Sequence, residues 1–204
     1  GFRSQVDAIR RAFRLLEPAE LIAFARGEQP LAEPCAAITF DDGYRDQYEH
    51  ALPALLEARA TATFFIPPDF LDRPRPFWWD VVSRIVRMTD RELLELDEPA
   101  KLVIDLTTQS RDEAIAAVVN ACLAKHRLDE NRLAEHLQER SGVTIDLDAL
   151  GRDALMGWEQ VLALAQAGMG IGSHGKTHRR LADLDEPDQR EELVSSKLEL
   201  ESRL

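Results

Sequence analysis

Two adjacent carboxylates and two histidines four residues apart are the side chains of this sequence best suited to chemistry. Asp41 and Asp42 stand in Thr39-Phe40-Asp41-Asp42-Gly43. His174 and His178 stand in Gly172-Ser173-His174-Gly175-Lys176-Thr177-His178, and both motifs end apolar runs. A carboxylate and two imidazoles are hard or borderline ligands for a divalent metal, and a second carboxylate is a spare base. Histidines four apart can share a helix face, but Gly172 and Gly175 favour a turn that curls both rings towards one ion. Neither motif carries much weight alone, since Asp and Gly are common turn residues. Their combination does, because both end apolar runs and supply complementary ligands.

The elements that must position them are readable around each motif. Ser4 can cap a helix with Val6, Ile9, Phe13 and Leu16 at helical spacing. Pro18 suits a first helical position and Gly27 a position just past an end, which predicts a helix over Glu20–Arg26. Ala36–Phe40 reads as one strand buried on both faces. A helix over Gln47–Ala58, with Leu52, Leu55 and Leu56 inward, leads to a second strand at Ala62–Ile66. Such a strand–helix–strand unit of about 30 residues is what a parallel α/β sheet needs. Trp158–Ala167 predicts a helix closed by Gly168, and Met169–Ser173 a strand that runs into the histidines. Both motifs therefore fall at the carboxyl ends of parallel strands, where α/β folds build their sites.

Residues 70–153 have a different texture and read as a mostly helical insertion within a single domain. Phe77–Met88, Asp112–Arg127 and Asp129–Arg140 carry helical patterns, and Lys101–Leu106 suits a short strand. Trp78 and Trp79 could stack on sugar rings, although aromatic residues at helical spacing more often pack an insertion on its core. Arg179 beside the histidine loop could reach a substrate, against the default of a solvated turn. His50, His126 and His136 lie in helical patterns and read as solvated. Cys35 and Cys122 are isolated, with no metal or disulfide spacing.

Composition narrows the classes. A formal charge of −12 over 204 residues argues against nucleic acid as a partner, because that requires a basic face. No apolar stretch approaches the roughly 20 residues of a membrane span. The N-terminus lacks a signal-peptide pattern, which slightly favours the cytoplasm. The chain opens on Gly1 without a Met, which leaves a removed leader or anchor open.

The two motifs resemble the first two motifs of the NodB-homology polysaccharide deacetylases, carbohydrate esterase family 4. Ala62–Ile66 is similar to that family's second strand. Met156-Gly157-Trp158 and Gly168–Gly172 are similar to the helix and strand before its histidine motif. The resemblance spans about 36–68 and 155–184, and it implies an α/β fold of deformed (β/α)-barrel type. It further implies that Asp42, His174 and His178 bind a divalent metal, zinc foremost, that Asp41 is the general base, and that the reaction removes N-acetyl groups from a carbohydrate. Two departures stand out: Gly175 replaces the usual Ser or Thr, and Arg179-Arg180-Leu181 follows His178 where a proline is common. The family's later motifs, including the Leu-x-His that supplies the acid, would follow a helix over 186–204. The expectation is therefore an incomplete barrel, the N-terminal part of a deacetylase, impaired as it stands. Two rivals remain: a non-catalytic metal- or glycan-binding fragment, and a hydrolase of a small non-peptide amide or imide. Oligomeric state is not readable from the sequence.

Overall fold

The computed structural model describes residues 1–204. Gly1–Pro74 and Asp153–Leu204 form one unit, and Arg75–Arg152 a second.

In the first unit, α1 (Phe2–Ala12) buries Val6. It ends earlier than the apolar spacing predicts. Phe13 turns extended and is exposed, because the next residues, β1 (Arg14–Leu15), pair in parallel with β2 (Cys35–Ala36). Between them runs α2 (Pro18–Ala25), with Pro18 in its first turn. That pairing also corrects the reading of Ala36–Phe40 as one doubly buried strand. The run divides between two sheets, since β3 (Thr39–Phe40) pairs instead with β4 (Thr63–Ile66), and Ala37 and Thr39 are exposed. A π-helical turn at Gln47–Ala51 precedes α3 (Leu52–Glu57). Leu52 and Leu55 point inward as expected, whereas Leu56 is half exposed: consecutive residues stand about 100° apart on a helix, so one face cannot hold both Leu55 and Leu56. α4 (Pro68–Asp72) follows β4 directly.

The second unit contains α5 (Trp78–Met88), β5 (Leu93–Leu96), β6 (Leu102–Asp105), α6 (Arg111–Ala124), α7 (Glu130–Ser141) and all but the last two residues of α8 (Leu147–Ala154). β5 and β6 form an antiparallel hairpin in register Leu94↔Ile104. Leu94, Leu96 and Ile104 are buried against Val82, Ile85, Val86, Val118 and Leu137. Ser110 caps α6 through a reciprocal box with Glu113, which satisfies two end donors at once. Cys122 is fully buried in this core, and burial pushes its thiol up to about 12. At that value it stays protonated and inert.

Back in the first unit, α9 (Trp158–Gln166) leads to β7 (Gly170–Ser173), and α10 (Glu186–Arg203) ends the chain. The sheet order is β3-β4-β7, all parallel, with Phe64 of β4 opposite Phe40 and Ile171. Phe40 and Phe64 stack with centroids 4.8 Å apart. Phe64, Ile66, Leu55, Met156, Val161 and Leu164 make the buried core beneath. β7 can lie close to its neighbour because Gly172 has no side chain: a Cβ there would stand 2.6 Å from the Phe65 ring. The architecture is α/β with open sheets, not a closed barrel. No helix is long and apolar enough to cross a membrane.

Candidate metal centre

The carboxyl ends of β3 and β7 flank the end of β4, so parallel pairing alone brings the two motifs together. Past Phe40 the chain makes a tight turn in which the Gly43 N–H donates to the Asp41 carbonyl at 3.0 Å. Asp42, at its centre, is left-handed with φ 74°. The turn is pinned on two sides. Gln47 Nε2 donates to the Asp41 carbonyl at 2.6 Å, and the Met156 N–H donates to the Gly43 carbonyl at 3.0 Å. Arg45 also donates to the Leu155 carbonyl, from Nη2 at 3.2 Å.

His174 leaves β7 with its N–H on the Ile66 carbonyl at 3.1 Å. The chain then turns through Gly175 and reaches His178, which is left-handed at φ 60°. Only four non-glycine residues of the chain have positive φ, and Asp42 and His178 are two of them. Such conformations cost on the order of 1–3 kcal/mol each and concentrate where function requires them.

The result is a convergence of three donors. Asp42 Oδ1 lies 3.3 Å from His174 Nε2 and 3.2 Å from His178 Nε2. One ligand atom from each of the three residues falls within a 4.8 Å sphere of mutual distances. The imidazole rings sit 4.8 Å apart at 65°, and buried Phe70 meets the His178 ring edge-on at 6.5 Å. The donor set fits a divalent metal. Tetrahedral zinc with bonds of about 2.0–2.1 Å places its ligands about 3.3 Å apart, and one carboxylate oxygen with two imidazole nitrogens is a set that zinc favours.

Electrostatics agree with that geometry. Burial works against the charged form of Asp42, but hydrogen bonds and charge from His174 and His178 outweigh it and hold the carboxyl far below its usual range. His174 is raised, first by its hydrogen bond to Asp42, against the opposing effect of burial, and then by the charges of Asp41 and Asp42. Asp41 itself is exposed, and its carboxylate has no hydrogen-bond or ion-pair partner.

The other candidates fall elsewhere. Arg179 is exposed and pairs with Asp188 of α10 at 3.3 Å. Trp78 and Trp79 belong to the second unit. Trp78 packs on that unit's core, and Trp79 stacks on Phe77 with centroids 4.5 Å apart. His136 accepts from the Asp97 N–H at 3.0 Å. His126 lies just past the end of α6 at Ala124, in a bend instead of the helix expected there.

One important side chain escaped the sequence reading. Glu192 of α10 is buried and binds the histidine loop through the N–H groups of Lys176 and Thr177, both at 2.8 Å. In a helix this rich in charge it looks like surface. The available signal is the spacing of Glu192, Ser196 and Leu200, which the structure places on one buried stripe.

A sequence profile of the polysaccharide deacetylases matches residues 28–91 and 129–204, more than half of the chain. The chain belongs to the polysaccharide deacetylase family. Two stretches of this deacetylase-family chain are unmatched: 1–27, and 92–128, which lies inside the second unit. Among solved structures, it resembles the Streptococcus pyogenes deacetylase PplD, determined in complex with acetate, at 18% identity and a TM-score of 0.55. That match covers 100% of this chain and 56% of PplD. It also resembles the deacetylase domain of BpsB from Bordetella bronchiseptica, at 14% identity and a TM-score of 0.52, over 98% of this chain and 63% of that one. At these identities the likeness establishes the deacetylase fold. The chain spans between a half and two thirds of the length of both structures. No curated protein sequence matches it significantly.

Proposed function

We propose that this chain carries the metal site of a carbohydrate N-deacetylase, with Asp42, His174 and His178 as ligands of a divalent ion, zinc foremost, and Asp41 as general base. The observation that supports it most is the convergence of those three donors beside a carboxylate that has no partner of its own. A bound divalent ion would supply Lewis acidity and make water acidic enough to give up a proton near neutral pH. The two carboxylates then divide the work. Asp42, buried between two imidazoles, serves as ligand. Asp41, exposed and unpaired, is free to take the proton from the water that attacks the acetamide carbonyl. Attack and collapse exchange the amide C–N bond for a C–O bond and give acetate and the free amine. Family membership supports a carbohydrate substrate.

The test is acetate release from an N-acetylated oligosaccharide, with and without a strong chelator. Release is expected to stop on chelation and to return when zinc is added. Release that ignores the chelator would refute the metal's role. Turnover of a cyclic imide with none of the oligosaccharide would move the chain to the rival hydrolase class.

Metal uptake carries a pH signature. Zinc takes neutral imidazole, so each protonated ligand must lose its proton on binding. Asp42 is already ionised, with its pKa held low, and offers no competition. His174 is raised, so its proton competes up to a higher pH than an ordinary imidazole's would. The proton on His174 is therefore expected to lower zinc affinity by up to about tenfold per pH unit below that raised value, beginning above the usual imidazole midpoint of about 6.5. Titrations across about pH 5.5–8 measure it, and a flat profile would contradict the assignment of His174.

A further inference from the structure

The histidine loop is held from behind by a charged group that has no charged partner. Glu192 is only 4% exposed. One carboxylate oxygen accepts from the N–H groups of Lys176 and Thr177 at 2.8 Å each, and the other accepts from the Thr177 hydroxyl. No lysine or arginine pairs with it. Consecutive N–H groups aimed at one anion form a nest, and here the anion belongs to the protein. Burying a carboxylate is costly unless hydrogen bonds replace its water, and all three that do so here come from the five residues between and including the two histidines.

Two further contacts mark this as a fitted arrangement. At Gly175, φ is +73° and a Cβ would stand 3.2 Å from Glu192 Oε2, so a side chain here would crowd the carboxylate. One helical turn beyond Glu192, buried Ser196 bonds Ser173, the last residue of β7, hydroxyl to hydroxyl at 2.5 Å. α10 thus grips both the strand that leads into His174 and the loop that ends at the left-handed His178.

We infer that Glu192 is a positioning residue, which sets the direction of the His174 and His178 imidazoles by fixing the Lys176–Thr177 backbone. The inference rests on the reading of those histidines as metal ligands. It explains how the loop stays ordered without a hydroxyl at position 175, since Thr177 supplies one two residues later. Outer groups that orient ligands are typically worth 10- to 100-fold in metal affinity.

The test uses Glu192→Ala and Glu192→Gln in the 204-residue chain. Two readouts are taken: zinc affinity, and amide hydrogen exchange at Lys176 and Thr177 in metal-free protein. Glu192→Ala is expected to weaken zinc by about 10- to 100-fold and to speed exchange of both amides. Glu192→Gln is expected to stay within about threefold of the parent. Its amide oxygen can take both N–H groups, and the Thr177 hydroxyl can rotate to accept from the amide nitrogen. A merely structural carboxylate would not be rescued selectively at these two amides. If Glu192→Ala fails to fold, the glutamine variant together with Thr177→Val, expected to lose a few-fold, decides the matter. Unchanged exchange and affinity in the alanine variant, or a glutamine variant as weak as alanine, would overturn the inference. A parent that binds no zinc would defeat the metal reading alone, and the exchange data would still report on whether Glu192 holds the loop.

Discussion

Asp41→Asn is expected to keep a full equivalent of zinc while acetate release falls by about 10²- to 10⁴-fold, the usual worth of a positioned acid or base. The reasoning begins with backbone. Asp41 and Asp42 are consecutive, yet a turn with φ 74° at Asp42 sends the second carboxylate between the histidines and leaves the first exposed. Only Asp42 lies within ligand distance of both imidazoles. The Asp41 carbonyl, not its carboxylate, carries the contacts that hold the turn, from Gly43 and Gln47. Asparagine preserves those contacts and nearly the same shape, so fold and metal should persist and only the proton acceptor is lost. Parallel zinc analysis and acetate assays read the two halves of this prediction. Loss of zinc along with activity would make Asp41 a ligand, and retained activity would remove it from the chemistry.

The second large effect concerns the proposed ligands, Asp42 and His174. Complete structural zinc sites are worth about 10–16 kcal/mol. Removing two of three protein ligands by Asp42→Ala with His174→Ala should therefore cost several kcal/mol, on the order of 10³-fold or more in affinity. The fold should survive it. Both side chains are half-buried at strand ends, outside the core built from Phe64, Ile66, Leu55 and Leu164. Truncating Asp42 also removes the hydrogen bond that raises His174, so the single variants are expected not to add independently. Circular dichroism of the double variant checks that lost metal does not reflect lost structure.

The convergence of the two motifs was legible in the sequence because strand ends and residue types are local properties. An apolar run that stops at Asp-Asp-Gly, and another that stops at His-Gly-Lys-Thr-His, already mark where Asp42, His174 and His178 come together. What stayed hidden depends on pairing between distant segments. Nothing in Ala36–Phe40 says that Cys35 and Ala36 will pair with Arg14 and Leu15 while Thr39 and Phe40 turn to Thr63 and Phe64. β5 was obscured for a similar reason: Leu93–Leu96 becomes a strand by meeting Leu102–Asp105, and its alternation is only four residues long. Leu56 misled because three leucines close together look like one face, until the helix fixes which of them turns out. Glu192 was the hardest to see. Glutamate in a charged helix is ordinarily a solvated residue, and its burial becomes visible only when the loop from His174 to His178 is placed against α10.

Zinc content of the purified chain beside that of the Asp42→Ala, His174→Ala double variant, each measured after the same dialysis against buffered zinc, bears most directly on the central claim. The account predicts one equivalent per chain in the parent and none retained in the variant. Equal zinc in the two proteins would contradict it.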